Sequence, residues 1–102
     1  MREYPIKRGL TKDIKANIQK AMKEIFSEYE EREGKYITKY GAIKELEVWT
    51  NGKKLFVETN SEQNVDPLVA RETIKKFNYF LERVTGYNAK KRKDLLKKEL
   101  EM

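Results

Sequence analysis

The groups able to carry chemistry in this chain are carboxylates, lysines, tyrosines and two serines, because its 102 residues include no histidine and no cysteine. Imidazole, the commonest general base near neutral pH and the commonest zinc ligand, is thereby excluded, together with thiolate metal sites, disulfides and thiol nucleophiles. Ser27 and Ser61 sit in no nucleophile-type context, and no glycine-rich phosphate loop is present. One set of carboxylates has a spacing worth weighing. Glu45, Glu47 and Glu58, beside Lys54, fall on one face of an expected hairpin. Three such oxygen ligands suit Mg2+ or Mn2+ for phosphodiester chemistry. A solvated Lys/Glu-rich surface explains the same residues without chemistry, and their spacing matches no nuclease motif. The expectation is a protein without catalytic activity, metal or cofactor.

Binding is the chemistry that remains, and the charge distribution bears on it. Lys and Arg number 23 against 17 Asp and Glu, for a formal charge of +6 and a pI near 9.4. The excess is confined to the ends: residues 1–12 sum to +3, residues 88–102 sum to +3, and residues 13–87 are neutral. Arg8, Lys12, Lys54, Lys90, Lys91, Arg92 and Lys93 are the candidate contacts to a polyanion, since clustered cations raise the local potential. The ends make one patch only if they meet in the fold. Ordinary solvation of a Lys-rich terminal helix is the competing explanation.

The elements that must position these groups are legible in the periodicity. Thr11 is suited to cap a helix whose apolar positions Ile14, Ile18, Ala21, Met22, Ile25 and Tyr29 follow a helical period. Asp13 in its first turn suits the helix dipole; Glu30, Glu31 and Glu33 oppose it at the far end, so a stop near Glu30 is expected. Three strands follow over residues 35–40, 44–50 and 53–59, the last two joined by Asn51-Gly52. Asp66-Pro67 opens a second helix with Ala70, Thr73, Ile74, Phe77, Leu81 and Val84 on one stripe, widened by Phe80 and closed at Gly86. Residues 4–8 alternate as a strand, which Pro5 confines to an edge or a strand start. Asn88 is suited to cap a last helix over 89–100, with Leu95, Leu96 and Leu100 docking it and Lys97 and Lys98 complementing its dipole.

A two-residue loop at Asn51-Gly52 pairs Thr50 with Lys53, Trp49 with Lys54, Val48 with Leu55, Glu47 with Phe56, Leu46 with Val57 and Glu45 with Glu58. One face then carries Leu46, Val48, Leu55 and Val57, the core side. The other carries Glu45, Glu47, Trp49, Lys54, Phe56 and Glu58. With Ile37 inward, Tyr36 and Tyr40 join Trp49 and Phe56 on the outer face; the opposite setting, with both tyrosines inward, is equally regular. Exposed aromatics on a sheet can stack on unpaired bases while Lys39, Lys53 and Lys54 reach phosphates, although the nearby glutamates repel a backbone there. The same rings can instead join a protein partner or a second copy, or simply stabilise the sheet.

Tyr4-Pro5-Ile6-Lys7-Arg8-Gly9, Leu46-Glu47-Val48-Trp49, and Phe80-Leu81-Glu82 with Gly86-Tyr87-Asn88-Ala89-Lys90 resemble a family of small archaeal proteins of unknown function, over nearly the whole chain. The resemblance implies a compact α+β domain and brings no activity and no site residues. The expected fold is thus a two-layer α+β sandwich in a single domain, 1–102. An antiparallel sheet of three to four strands carries two long helices on one face, in the order (β)αβββα, with a basic terminal helix at 88–102. The expected role is an intracellular binding or assembly module, a homodimer through Trp49, Phe56, Tyr36 and Tyr40. The alternative is nucleic-acid binding through the basic ends. The amino-terminal residues lack the apolar run of a signal peptide, and nowhere do roughly 18 consecutive apolar residues occur, so a cytoplasmic protein without membrane contact is expected.

Overall fold

The computed structural model describes residues 2–100, the side chains of Leu96, Lys98, Glu99 and Leu100 excepted. Its elements are β1 (Arg2–Pro5), α1 (Ile14–Phe26), β2 (Glu30–Arg32), β3 (Lys35–Tyr40), β4 (Ile43–Thr50), β5 (Lys54–Ser61), α2 (Pro67–Thr85) and α3 (Ala89–Leu100). The strands form one antiparallel sheet in the order β1-β5-β4-β3-β2. The α+β architecture is as expected, but the sheet has five strands rather than three or four, and three helices accompany it. The expected docking by Leu96 and Leu100 and the dipole role of Lys98 fall outside the described side chains.

The added strand comes from the acidic run that the helical pattern claimed. Helix α1 begins at Ile14, with Asp13 rather than Thr11 at its cap, and ends at Phe26 instead of near Glu30. Carboxylates are unfavourable at a helix C-terminus, and Ser27 leaves the helix at φ 72°. Glu30, Glu31 and Arg32 then pair with Ile37, Tyr36 and Lys35. The two residues between, Glu33 (φ 53°) and Gly34 (φ 80°), are both left-handed, the backbone of a type I′ hairpin turn.

At Asn51-Gly52 the expected two-residue turn is absent and the register moves by two. Trp49 stands opposite Phe56, Val48 opposite Val57, Glu47 opposite Glu58, and Thr50 opposite Leu55. Side chains widen this loop: Asn51 Oδ1 accepts from Lys53 N and Lys54 N, both at 2.9 Å, and Thr50 Oγ1 donates to the Lys54 carbonyl at 2.7 Å. Because side chains alternate with period two, a two-residue shift leaves every residue on its expected face.

The inner face carries Tyr4, Tyr36, Leu46, Val48, Leu55 and Val57, which form one core with Ile14, Ile18, Met22 and Phe26 of α1 and Phe80, Leu81 and Val84 of α2. Helix α2 opens as expected, Asp66 Oδ1 accepting from Leu68 N at 2.8 Å with Pro67 in the first turn. Its stripe needs one correction. Ile74 is exposed, whereas Thr73 is buried and accepts from Ala42 N at 2.9 Å, anchoring α2 to the turn between β3 and β4. At Gly86, which ends α2 at φ 81°, a Cβ would lie 2.6 Å from Leu10 Cδ1 and 3.0 Å from Lys7 Cβ. The start of the chain is thus folded closely over the α2–α3 junction, where Lys7 N also donates to the Thr85 carbonyl at 2.8 Å.

Candidate functional site

The outer face of the sheet presents Trp49 and Phe56 directly across from each other, rings stacked at 5.8 Å and 15°. Both are half-buried, and the aromatic pair is already dressed by its neighbours. Lys35 Nζ lies 4.6 Å from the Trp49 ring and 3.8 Å from Glu47, and Lys54 Nζ lies 3.8 Å from Glu3. Glu45 and Glu58 are exposed on the same face, so cations and anions alternate across it. Glu47 and Glu58 are opposite one another and Glu45 faces Asn60. Among the described residues, no three His, Cys, Asp or Glu side chains come together as a metal site.

Tyr36 and Tyr40 do not belong to this face. Tyr36 pairs with Val48 and is buried, and Tyr40 packs against the core with its ring 5.8 Å from that of Phe26. Both alternations were regular in sequence; α1 and the connection from it to β2 decide between them by covering this side with Phe26 and Tyr29, the Tyr29 ring lying 6.0 Å from Tyr36. Burial raises the Tyr36 phenol above its ordinary value, against the opposing effect of the Gln19 hydrogen bond. A group with a raised folded pKa contributes its stability fully below its unfolded value and loses it as the pH climbs through the folded value. Denaturant midpoints are therefore expected to fall as the pH passes upward through the tyrosine range, near pH ~10. Tyr36→Phe should flatten that decline; an unaltered decline would assign it to other groups.

The basic ends meet. Helix α3 packs beside β1, and the segment from Lys7 to Leu10 lies against Gly86, immediately before α3. Lys7, Arg8, Lys12, Lys90, Lys91 and Lys93 are exposed, and none of the six forms an ion pair among the described residues. Asn88 caps α3 as expected, Oδ1 accepting from Lys91 N at 2.9 Å, which fixes the first turn that carries these lysines.

Two expected contacts lie elsewhere. Lys54 is on the sheet face beside Glu3. Arg92 is only 4% exposed, so it is not a surface cation. Its guanidinium donates to the Tyr87 carbonyl at 2.6 Å and to Asn78 Oδ1 at 3.1 Å, and lies 6.0 Å from the centre of the Tyr4 ring. Desolvation lowers its pKa, opposed by Tyr4 and Glu82. One buried side chain thereby ties α3 to α2, to their connecting loop and to β1. Lysine would not replace it, since two carbonyl oxygens on different segments need the planar fork. The run Lys90-Lys91-Arg92-Lys93 gives no local sign that its third member turns inward; only the helical spacing from Asn88 hints at it.

The chain has relatives in sequence and in fold. The model of a domain of unknown function, DUF5611, matches residues 1–98. The chain belongs to the DUF5611 family. Among solved structures, the chain is similar to the NMR solution structure of a hypothetical protein from Thermoplasma acidophilum, with 27% identity and a TM-score of 0.65. That match covers 94% of this chain and 97% of the other. No curated protein matches. The expected resemblance to an archaeal family of unknown function is thus borne out, and the DUF5611 match brings no assigned activity with it. Among the described residues, no helix is long and apolar enough to cross a membrane.

Proposed function

We propose that this DUF5611 domain binds nucleic acid along its phosphate backbone, at the patch where Lys7, Arg8 and Lys12 adjoin Lys90, Lys91 and Lys93. The supporting observation is the approach of the ends: α3 packs beside β1, and Lys7 N donates to the carbonyl of Thr85, three residues before the second charged segment begins. Exposed cations without carboxylate partners are free to neutralise phosphates, and each phosphate neutralised releases condensed counterions. The reading is of binding without catalysis. It calls for contact to backbone rather than to bases, because lysines on a short helix and a loop offer no fixed bidentate geometry.

Fluorescence anisotropy with labelled duplex DNA and single-stranded RNA, read across a salt series, tests this. Affinity should fall steeply with salt, at about 0.9 in logarithmic slope for each phosphate on a duplex and about 0.7 on a single strand. Replacing both Lys91→Glu and Lys93→Glu should weaken binding roughly ten- to hundredfold and reduce the slope by about two. An unchanged slope, or no binding of either probe at low salt, overturns the proposal.

The Trp49–Phe56 stack favours a second reading, in which the sheet face contacts a protein. Its alternating charges suit a protein surface better than a polyanion, and both sheet edges resist strand addition, β1 through Pro5 and β2 through its short length and exposed charges. With Tyr36 and Tyr40 in the core, this surface retains two of its four expected aromatics.

A further inference from the structure

Among the described residues, the large apolar side chains that stand most exposed all lie on α2: Leu68 at 68%, Val69 at 40%, Ile74 at 60% and Tyr79 at 53%. Leu68 and Tyr79 are the unusual pair, because they lie on the side of the helix opposite its buried residues Thr73, Phe80, Leu81 and Val84. Between them on the same line come Glu72 and Lys75, both exposed. The spacing of Leu68, Glu72, Lys75 and Tyr79 is four, three and four residues, the seam of a helix that packs lengthwise on another helix.

We infer that a second copy of this chain docks antiparallel along this stripe of α2. The stripe reads apolar, acidic, basic, apolar, and turning it end for end brings Leu68 against Tyr79 and Glu72 against Lys75. A two-fold axis between Glu72 and Lys75 makes each of these contacts twice, as an isologous interface requires. A parallel arrangement would set Glu72 against Glu72 and Lys75 against Lys75. Within the stripe these two charges favour a second copy in the antiparallel over the parallel direction, in the way that polar residues in a helical seam fix register; Arg71, Lys76, Glu82 and Arg83 flank it. Ile74 and Val69 belong to the two margins of the buried face, beside grooves lined by Val65 and Phe77 and by Tyr40 and Gly41, and take no part in the stripe.

This surface is a better seat for a second copy than the sheet face. Trp49 and Phe56 are half-buried against each other and covered in part by Lys35, so a second copy has less apolar surface to gain there than at Leu68 and Tyr79. Leu68 and Tyr79 are more exposed, at 68% and 53%, although Arg83 interacts with Tyr79 from the next turn. The inference is independent of nucleic-acid binding, since α2's stripe includes none of the cations of the terminal patch.

Light scattering and sedimentation over a concentration series test it with charge exchange. The unaltered chain is expected to double in mass as concentration rises. Glu72→Lys and Lys75→Glu, each alone, should raise the dissociation constant about tenfold or more, because each places like charges together at two points. An equimolar mixture of the two singly substituted chains should recover association, as should the chain carrying both substitutions. Trp49→Ala should leave the mass unchanged. A monomer at every concentration, or a dimer indifferent to both charge substitutions, overturns the inference. So does a dimer that Trp49→Ala dissolves and the α2 variants do not, which would give the interface to the sheet.

Discussion

Phe80→Ala is expected to cost about 3–5 kcal/mol of stability, a large part of what a domain of this size possesses. Phe80 is fully buried in the middle of α2's inner face, its ring centre 5.4 Å from that of Phe26 on α1. It joins the two long helices over the Leu46, Val48, Leu55 and Val57 surface of β4 and β5. Removing the ring takes away its transfer free energy and leaves a void that a regular helix, held at one end by Asp66 and at the other by Gly86, is poorly placed to close. The urea midpoint should fall at nearly constant slope, and the melting temperature by roughly 15–30 °C. Trp49→Ala, at a half-buried position on the outer face, should cost far less than this. A similar loss at both positions would mean that the outer face is as tightly packed as the core.

How far the fold could be read from the sequence follows from which signals are local. Side-chain alternation in β4 and β5 is such a signal, and it survives even the wrong loop: pairing Trp49 with Phe56 instead of Lys54 moves the register by two and changes no face. For β3 the same alternation is ambiguous, because Tyr36 and Ile37 are both suited to a core. The choice depends on Tyr29 and Phe26, which reach Tyr36 and Tyr40 only after the chain has folded back. Strand β2 was hidden for a related reason. Glu30 to Arg32 have no apolar residue to bury and become a strand through the Glu33-Gly34 turn and the free edge of β3.

The candidate sites divide in the same way. That the charge excess sits at the two ends is a property of composition along the chain; that the ends adjoin depends on the Lys7 hydrogen bond to Thr85 and on Gly86 allowing Leu10 to approach. Ile74 and Phe77 look alike in a helical repeat, yet Thr73 takes the buried position beside them because the Ala42 amide needs an acceptor there. An amphipathic pattern ranks residues by apolarity, whereas the fold places some polar groups inside to satisfy backbone donors.

Arg92→Ala should loosen α3 and weaken nucleic-acid binding more than Lys93→Ala, although both remove one positive charge. Arg92 is buried and Lys93 exposed, so a purely electrostatic patch would rank them the other way or equally. The buried guanidinium holds the Tyr87 carbonyl and Asn78 Oδ1 together and lies near the Tyr4 ring. Truncation leaves two acceptors without their charged donor, a loss of about 1.5–3 kcal/mol. That loss falls on α3, a helix joined to the body by few contacts, rather than on the central core. Amide exchange should therefore quicken across residues 89–95 while the β4 and β5 amides keep their protection. Lys90, Lys91 and Lys93 would then be presented by a mobile segment, and ordering it on nucleic acid would subtract from affinity. Arg92→Lys separates the two effects, since it retains the charge but cannot bridge both acceptors: exchange should still quicken, and affinity should lie between those of the wild type and the alanine variant. Equal affinities for Arg92→Ala and Lys93→Ala, with α3 protection intact, would reduce Arg92 to one charge among several and remove the case that a buried cation organises the exposed ones.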